Sequence, residues 1–308
     1  MAETTSGVRV AASVVAITPF DRDGRLDEGG TRAHLRRLHD AGLGIWVGGG
    51  GSGEGFTLSD AEADRLLELA VDELGGSVRA MGVEPRTAAQ MVAFTARAAR
   101  AGVAACQVYS LEPGHGHRPT MAEVEAYFDD VLGPCPLPAV LSTHQSVGYR
   151  LPVGLVTALV ERHPCVIGVN SSHPDVTYLA ELVDALAGRV EICVGGPLQA
   201  LTALGVGAHG FLSSEANLAP RLVASLDRHL AAGQLAEALA AFGTLVRLHH
   251  LLYANGGIRA TKGVLRRLGL PGGFLRPPQQ GPDGELTGRL LAEIRRLGVD
   301  AVEGWPPP

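Results

Sequence analysis

From residue 10 to about residue 230, short apolar runs alternate with amphipathic stretches. The apolar runs fall at 12–20, 44–49, 78–83, 104–110, 138–143, 165–170, 190–196 and 207–214. Between them, apolar residues recur at three- and four-residue spacing over 28–42, 60–73, 87–101, 121–131, 152–162, 176–187 and 198–204. That spacing is the period of a helix with one buried face. A continuous apolar run, unlike an alternating one, marks a strand covered on both sides, which is the habit of parallel sheets. Eight strand–helix units in succession predict an α/β fold, a closed (β/α)8 TIM barrel in preference to an open doubly wound sheet. Beyond it, helical segments are broken by 256–257, 271–273 and 277–278, rich in Gly and Pro. The expected organisation is a barrel over 1–233 with a C-terminal helical extension, 234–308, packed on it.

Composition narrows the class. A chain of 308 residues, 46% hydrophobic, can bury a large core. Its formal net charge of -6 argues against a nucleic-acid or polybasic membrane surface. No apolar run reaches the ~18 residues a membrane span needs, and MAETTSGVRV has no basic-then-apolar leader pattern. A cytoplasmic protein acting on a small molecule is the expectation. The four cysteines, Cys106, Cys135, Cys165 and Cys193, lack CxxC or zinc-like spacing and read as reduced thiols.

The segment GGSGEGFTLSDAE (50–62) resembles the GTTGE-x-x-TL-x-x-E signature of the dihydrodipicolinate synthase and N-acetylneuraminate lyase family. ITPFDRDGRLDEGG (17–30), GVNSSHPD (168–175), GVGAHGFLSSEANLAP (205–220) and ANGGIRATKGVLRRLGLPGGFLRPP (254–278) resemble further stretches of that family in order. The resemblance implies a barrel that assembles as a homodimer or homotetramer. It also implies chemistry in which a lysine ending the sixth strand forms a Schiff base with a 2-oxo acid. A tyrosine ending the fifth strand shuttles protons there.

This chain departs from the pattern where that chemistry sits. The lysine position holds Asn170, the tyrosine position Ser142, and the first of two threonines is Gly51, the second being retained as Ser52. The carboxylate-binding arginine is replaced by Val147, with Arg150 displaced from it. Lysine occurs once, at Lys262, aligned with a structural lysine of the C-terminal helices, and Glu54 aligns with a structural glutamate. An amide cannot form an imine, and a serine hydroxyl is a far poorer acid than a phenol of pKa ~10. Ordinary lysine-dependent aldolase or synthase activity is therefore not expected.

Four histidines fall after strands, where βα loops build the active sites of such barrels. His115 and His117 lie in the 110–120 loop, His144 after the fifth strand and His173 after the sixth. One reading makes His144 and His173 the acid and base of a lyase-like reaction, namely C–C or C–O cleavage, dehydration or cyclisation of a small carbonyl-containing substrate. Asn170 and Ser142 then serve as hydrogen-bonding groups in the old catalytic positions. Gly51, Ser52, Thr143, Gln145, Ser171, Glu112, His115 and His117 complete the pocket. No cofactor is required by this reading. A second reading has loop histidines hold a divalent metal. A third makes the chain a catalytically silent binder of a metabolite or partner subunit. His163, His229, His249 and His250, on helices or their ends, read as surface or interface residues.

Overall fold

The computed structural model describes residues 12–143 and 147–306. Eight strands pair in chain order as a closed parallel barrel. They are β1 (Ala12–Val15), β2 (Gly44–Gly48), β3 (Arg79–Met81), β4 (Ala105–Tyr109), β5 (Ala139–Thr143), β6 (Val166–Ser171), β7 (Glu191–Val194) and β8 (Gly210–Leu212). The helices between them are α1 (Glu28–Asp40), α2 (Asp60–Leu74), α3 (Ala88–Ala101), α4 (Met121–Leu132), α5 (Val153–Arg162), α6 (Val176–Leu186) and α7 (Ala200–Gly205), with α8 (Pro220–Ala231) following β8. Then come α9 (Leu235–Ala254), α10 (Ile258–Arg267), α11 (Gly284–Arg296) and α12 (Val299–Glu303).

Alternate strand residues divide between two environments. Val14, Ile45, Val47, Cys106, Val108, Leu141, Val169, Ile192 and Phe211 are buried in the apolar layer between sheet and helices. The opposite face closes the barrel interior and is more polar: Ser13, Gln107, Ser142 and Asn170 are all buried. Helix starts are fixed locally. Ser59 with Glu62, and Thr120 with Glu123, form reciprocal capping boxes on α2 and α4, each worth about 1 kcal/mol.

The strands are shorter than the apolar runs that announced them. Of the run 12–20, Ala12–Val15 joins the ladder. The rest stays buried but braces loops instead. Ile17 N donates to Asn217 Oδ1 at 2.9 Å, and Thr18 Oγ1 donates to the Gly53 carbonyl at 2.6 Å. Asn217 also donates from Nδ2 to the Val15 and Ser214 carbonyls, at 2.9 and 3.0 Å. It thereby joins the ends of β1 and β8.

The extension is tied to the barrel by Lys262 of α10. Its side chain is fully buried, and Nζ donates to the Thr18 carbonyl at 2.8 Å, the Phe274 carbonyl at 2.9 Å and the Glu54 carboxylate. Burial lowers the Lys262 pKa and raises that of Glu54, while the charge of each opposes the shift in the other. Glu54 sits in the left-handed region at φ 52°, a conformation costing roughly 1 kcal/mol for a residue with a Cβ. Gly53 beside it tolerates no side chain, because a Cβ there would lie 1.6 Å from the Gly48 carbonyl oxygen. Removing one member of such a pair strands the other charge, at about 3–5 kcal/mol. Urea unfolding should find Lys262→Met and Glu54→Ala destabilised by that order, with the double variant Lys262→Met/Glu54→Leu recovering part of the loss.

His34 of α1 is buried completely, with Nε2 2.9 Å from Asn217 Oδ1. Burial pushes its pKa down to about 3, against an ordinary 6.5. The folded state keeps the ring neutral while the unfolded chain protonates it below pH 6.5. This contribution is therefore complete above that pH and declines as pH falls toward 3. At pH 5 it should have removed about 2 kcal/mol relative to pH 7. Urea titrations at the two pH values should show this loss in the wild type and a smaller one in His34→Gln.

Candidate active site

The C-terminal ends of β5 and β6 bring Ser142 and Asn170 together. Ser142 is the register partner of Tyr109 on one side and Asn170 on the other, and Asn170 is that of Cys193. Register partners in a parallel sheet share a face, so these side chains converge in the barrel interior. Asn170 Nδ2 reaches Gln107 Oε1 of β4 at 3.4 Å. Tyr109 above Gln107 is buried, and burial, then the Glu84 charge, raises its pKa well above the ordinary phenol value.

Two atoms of this cluster, Ser142 Oγ and Asn170 Oδ1, have no hydrogen-bond partner among the described residues; Ser171 Oγ, also without one, lies on the alternate face of β6, where its register partner is Val194, so the expectation that it lines the same pocket is corrected. Ser142 is held from behind, its carbonyl accepting from Ser110 Oγ at 2.7 Å and Ser110 N at 3.2 Å. A buried polar atom left unpaired costs roughly 1–3 kcal/mol. Two such atoms side by side mark a place where stability yields to another demand.

The other candidate residues are distributed around this cluster. Gly51 and Ser52 lie on the turn that Gly53 and Glu54 anchor, and an added Cβ on Gly51 would face open space. His173 is half-buried. Its Nδ1 accepts from Asp175 N at 3.3 Å, and its ring meets Tyr178 of α6 edge-on at 5.7 Å. Its proton therefore sits on Nε2, making that atom a donor. The His173 carbonyl accepts from Gln199 Nε2 at 2.7 Å. Thr143 ends β5, whereas His144 and Gln145 lie outside the described residues. Glu112 pairs with Arg86 and lines a cavity of about 540 Å³ opening between α2 and α3, whose walls include Phe56, Met81 and Arg97 but neither Ser142 nor Asn170. His115 and His117 are exposed in their loop. Among the described residues no three His, Cys, Asp or Glu side chains converge as a metal site, so no step is assigned to a metal. Arg150 is committed to Asp175 and lies over the Tyr178 ring at 4.5 Å, while Val147 is buried.

A further polar network lies beyond β8. Glu215, buried, accepts from Ser213 Oγ at 2.8 Å and Ser214 Oγ at 3.1 Å, and its other contact is His249 Nδ1 at 2.7 Å. The His249 ring stacks on Tyr253 at 4.3 Å, and the Tyr253 hydroxyl meets Ser214 Oγ at 3.1 Å. His249 of α9 is 22% exposed and faces the barrel, where the Glu215 carboxylate orients it. Such a pairing orients the ring, with Nδ1 donating to the carboxylate and Nε2 left as an acceptor. The sequence carried one signal for it, a glutamate within the small-residue stretch LSSEAN.

Comparison with known proteins places this site in a lineage. The sequence profile of the Dihydrodipicolinate synthetase family matches residues 9–293. The chain belongs to that family. It is 31% identical over 291 residues to an uncharacterised DapA-like lyase of Halobacterium salinarum, covering 92% of each protein. It is likewise 31% identical to a 4-hydroxy-tetrahydrodipicolinate synthase of Methylobacterium radiotolerans, covering 97% of this chain and 99% of that one. Among solved structures, the 4-hydroxy-tetrahydrodipicolinate synthase of Methylacidiphilum fumariolicum superposes with a TM-score of 0.85 at 26% identity, over 96% of this chain and 99% of that one. The fold and family expected from the sequence, including the helices after the barrel, are thus borne out.

The unpartnered hydroxyl gives a stability test. Ser142→Ala should leave the melting temperature unchanged or raise it, by up to about 1 kcal/mol of added stability. Ser110→Ala, which removes the donor to the Ser142 carbonyl, should lower stability by about 1 kcal/mol.

Proposed function

We propose that this family member is a lyase-type enzyme that works on a small carbonyl-containing substrate without forming an imine. The observation that carries the reading is Asn170 at the position the family gives to an amine, beside unpartnered Ser142 Oγ, while Lys262 is held by three acceptors elsewhere. In an imine mechanism the protonated nitrogen accepts the electrons released next to the carbonyl carbon. Here amide and hydroxyl donors from Asn170 and Ser142 take the carbonyl oxygen instead and stabilise it as charge develops.

Proton transfer is assigned to His144 and His173. His173 acts as the acid in its imidazolium form, delivering the Nε2 proton to the departing oxygen or carbon and returning to the neutral ring. His144 acts as the base that removes a proton next to the carbonyl. Gly51 and Ser52 shape the wall on the β2 side, and Thr143, Gln145, Glu112, His115 and His117 contribute from the loops after β4 and β5. C–C or C–O cleavage, dehydration and cyclisation all fit this set of roles, because each needs an enolate held by hydrogen bonds and a proton moved on each side of it. We assign the working form to a cytoplasmic homodimer or homotetramer.

A panel of hydroxylated ketones and 2-oxo acids, followed by proton NMR, tests the reading. Asn170→Ala, His144→Ala and His173→Ala should each lower kcat by about 10²–10⁴, with circular dichroism unchanged. Unaltered kcat in both histidine variants would remove His-based catalysis. Binding of a panel compound with no turnover in the wild type would instead carry the reading of a silent metabolite binder, which the loss of both lysine and tyrosine favours.

A further inference from the structure

The polar network beyond β8 sits on the same rim of the barrel as Ser142 and Asn170. α9 packs against the turns Pro197–Gln199 and Ser214–Asn217, which follow the C-terminal ends of β7 and β8. It thereby carries His249 and Tyr253 to that rim. β8 lies two strands from β6, a separation of ~10 Å at the spacing of paired strands. Between them β7 gives way to Gly195 and Gly196, which put no side chain on the rim. A Cβ added to Gly195 would lie 1.9 Å from Ser172 Oγ, whereas one added to Gly196 would meet open space.

Each proton of the network has a definite destination. Ser213 Oγ and Ser214 Oγ donate to the Glu215 carboxylate, and because a carboxylate only accepts, His249 Nδ1 donates to it too. Ser214 uses its one proton on Glu215, so in its 3.1 Å contact with Tyr253 the phenol is the donor. All these protons therefore point into the protein. Lone pairs are what remain outward, on His249 Nε2 and on the Tyr253 oxygen. Nε2 has no hydrogen-bond partner among the described residues, and Tyr253 is 56% exposed. Nor does any lysine or arginine among the described residues pair with Glu215. The buried charge already has its donors, so the outward face suits a neutral donor and repels an anion.

We propose that His249 is a specificity-determining residue that recognises a hydroxyl of the substrate, with Glu215 as its positioning residue. The site rests on the role proposed for Asn170 and Ser142, which hold the carbonyl oxygen. With the carbonyl at β6 and the acceptor on the β8 side, the gap suits a chain of about four to six atoms. The substrate class is then a short ketone or 2-oxo acid carrying a hydroxyl, which donates its hydrogen bond to Nε2. Tyr253, stacked on the imidazole at 4.3 Å, keeps the ring from turning. A carboxylate or phosphate at that end would meet acceptors alone and is disfavoured.

Calorimetric titration of the full-length protein with 4-hydroxy-2-oxopentanoate, 2-oxopentanoate and 2-oxoglutarate tests the site. The hydroxylated acid should bind about tenfold more tightly than 2-oxopentanoate, and 2-oxoglutarate more weakly than either. In His249→Phe, which keeps a stacking ring and loses the acceptor, the two oxopentanoates should bind alike. Glu215→Gln should reduce the preference while leaving the affinity for 2-oxopentanoate unchanged. A measurement on the wild type needs no variant: 4-hydroxy-2-oxopentanoate should protect His249 from diethyl pyrocarbonate, read by peptide mapping, and 2-oxopentanoate should not. Asn170→Ala should weaken all three acids together, and unchanged affinities there would overturn the carbonyl reading alone. Equal binding of the two oxopentanoates by the wild type, binding of neither, or no protection of His249 overturns the hydroxyl site.

Discussion

A single ammonium group, buried where water cannot reach it, sets the terms for the rest of this molecule. Lys262 Nζ is satisfied by two carbonyls and by Glu54, drawn from the loop after β1, the turn after β2 and the segment after α10. A buried ion pair adds little stability over a well-packed apolar core, but opening one is expensive. Its value here is geometric. It holds Glu54 in a left-handed conformation, and with it the turn carrying Gly51 and Ser52. It also fastens the C-terminal helices to the barrel. The chain's one lysine is thereby committed to architecture.

The barrel interior follows a different rule from its apolar jacket. Gln107, Ser142 and Asn170 form a polar layer near the C-terminal end, and that layer is incompletely hydrogen-bonded among the described residues. With an amide and a hydroxyl there, this layer offers donors and acceptors without a nucleophilic amine. The barrel strands supply a rigid frame for such groups, and the loops supply the titratable ones. Glu215 and His249 extend this polar surface past β8, joining an element of the barrel to one of the extension.

Much of the fold was readable from the chain because apolar runs and helical periods are local signals. Seven of the eight runs contain the strand they announced, β6 ending one residue past its run, and helices such as Ala88–Ala101 and Met121–Leu132 differ from their expected spans by one residue. Strand lengths were overestimated where burial outlasts pairing, as at Ile17 and Thr18. Asn170 and Ser142 were legible as departures from a family pattern, and the structure places them as register partners. Side-chain groupings that join distant segments were not legible. His249 reveals its contact only through a carboxylate in another element. The contact from Asp175 N to His173 Nδ1 depends on a loop conformation that composition does not encode.

The central claim is that no amine in this barrel is available to a bound ketone. Borohydride reduction in the presence of pyruvate or a related 2-oxo acid, read by intact mass and peptide mapping, tests it most directly. The account predicts an unmodified protein whose Lys262 peptide keeps its original mass. A reduced adduct on Lys262 would contradict it.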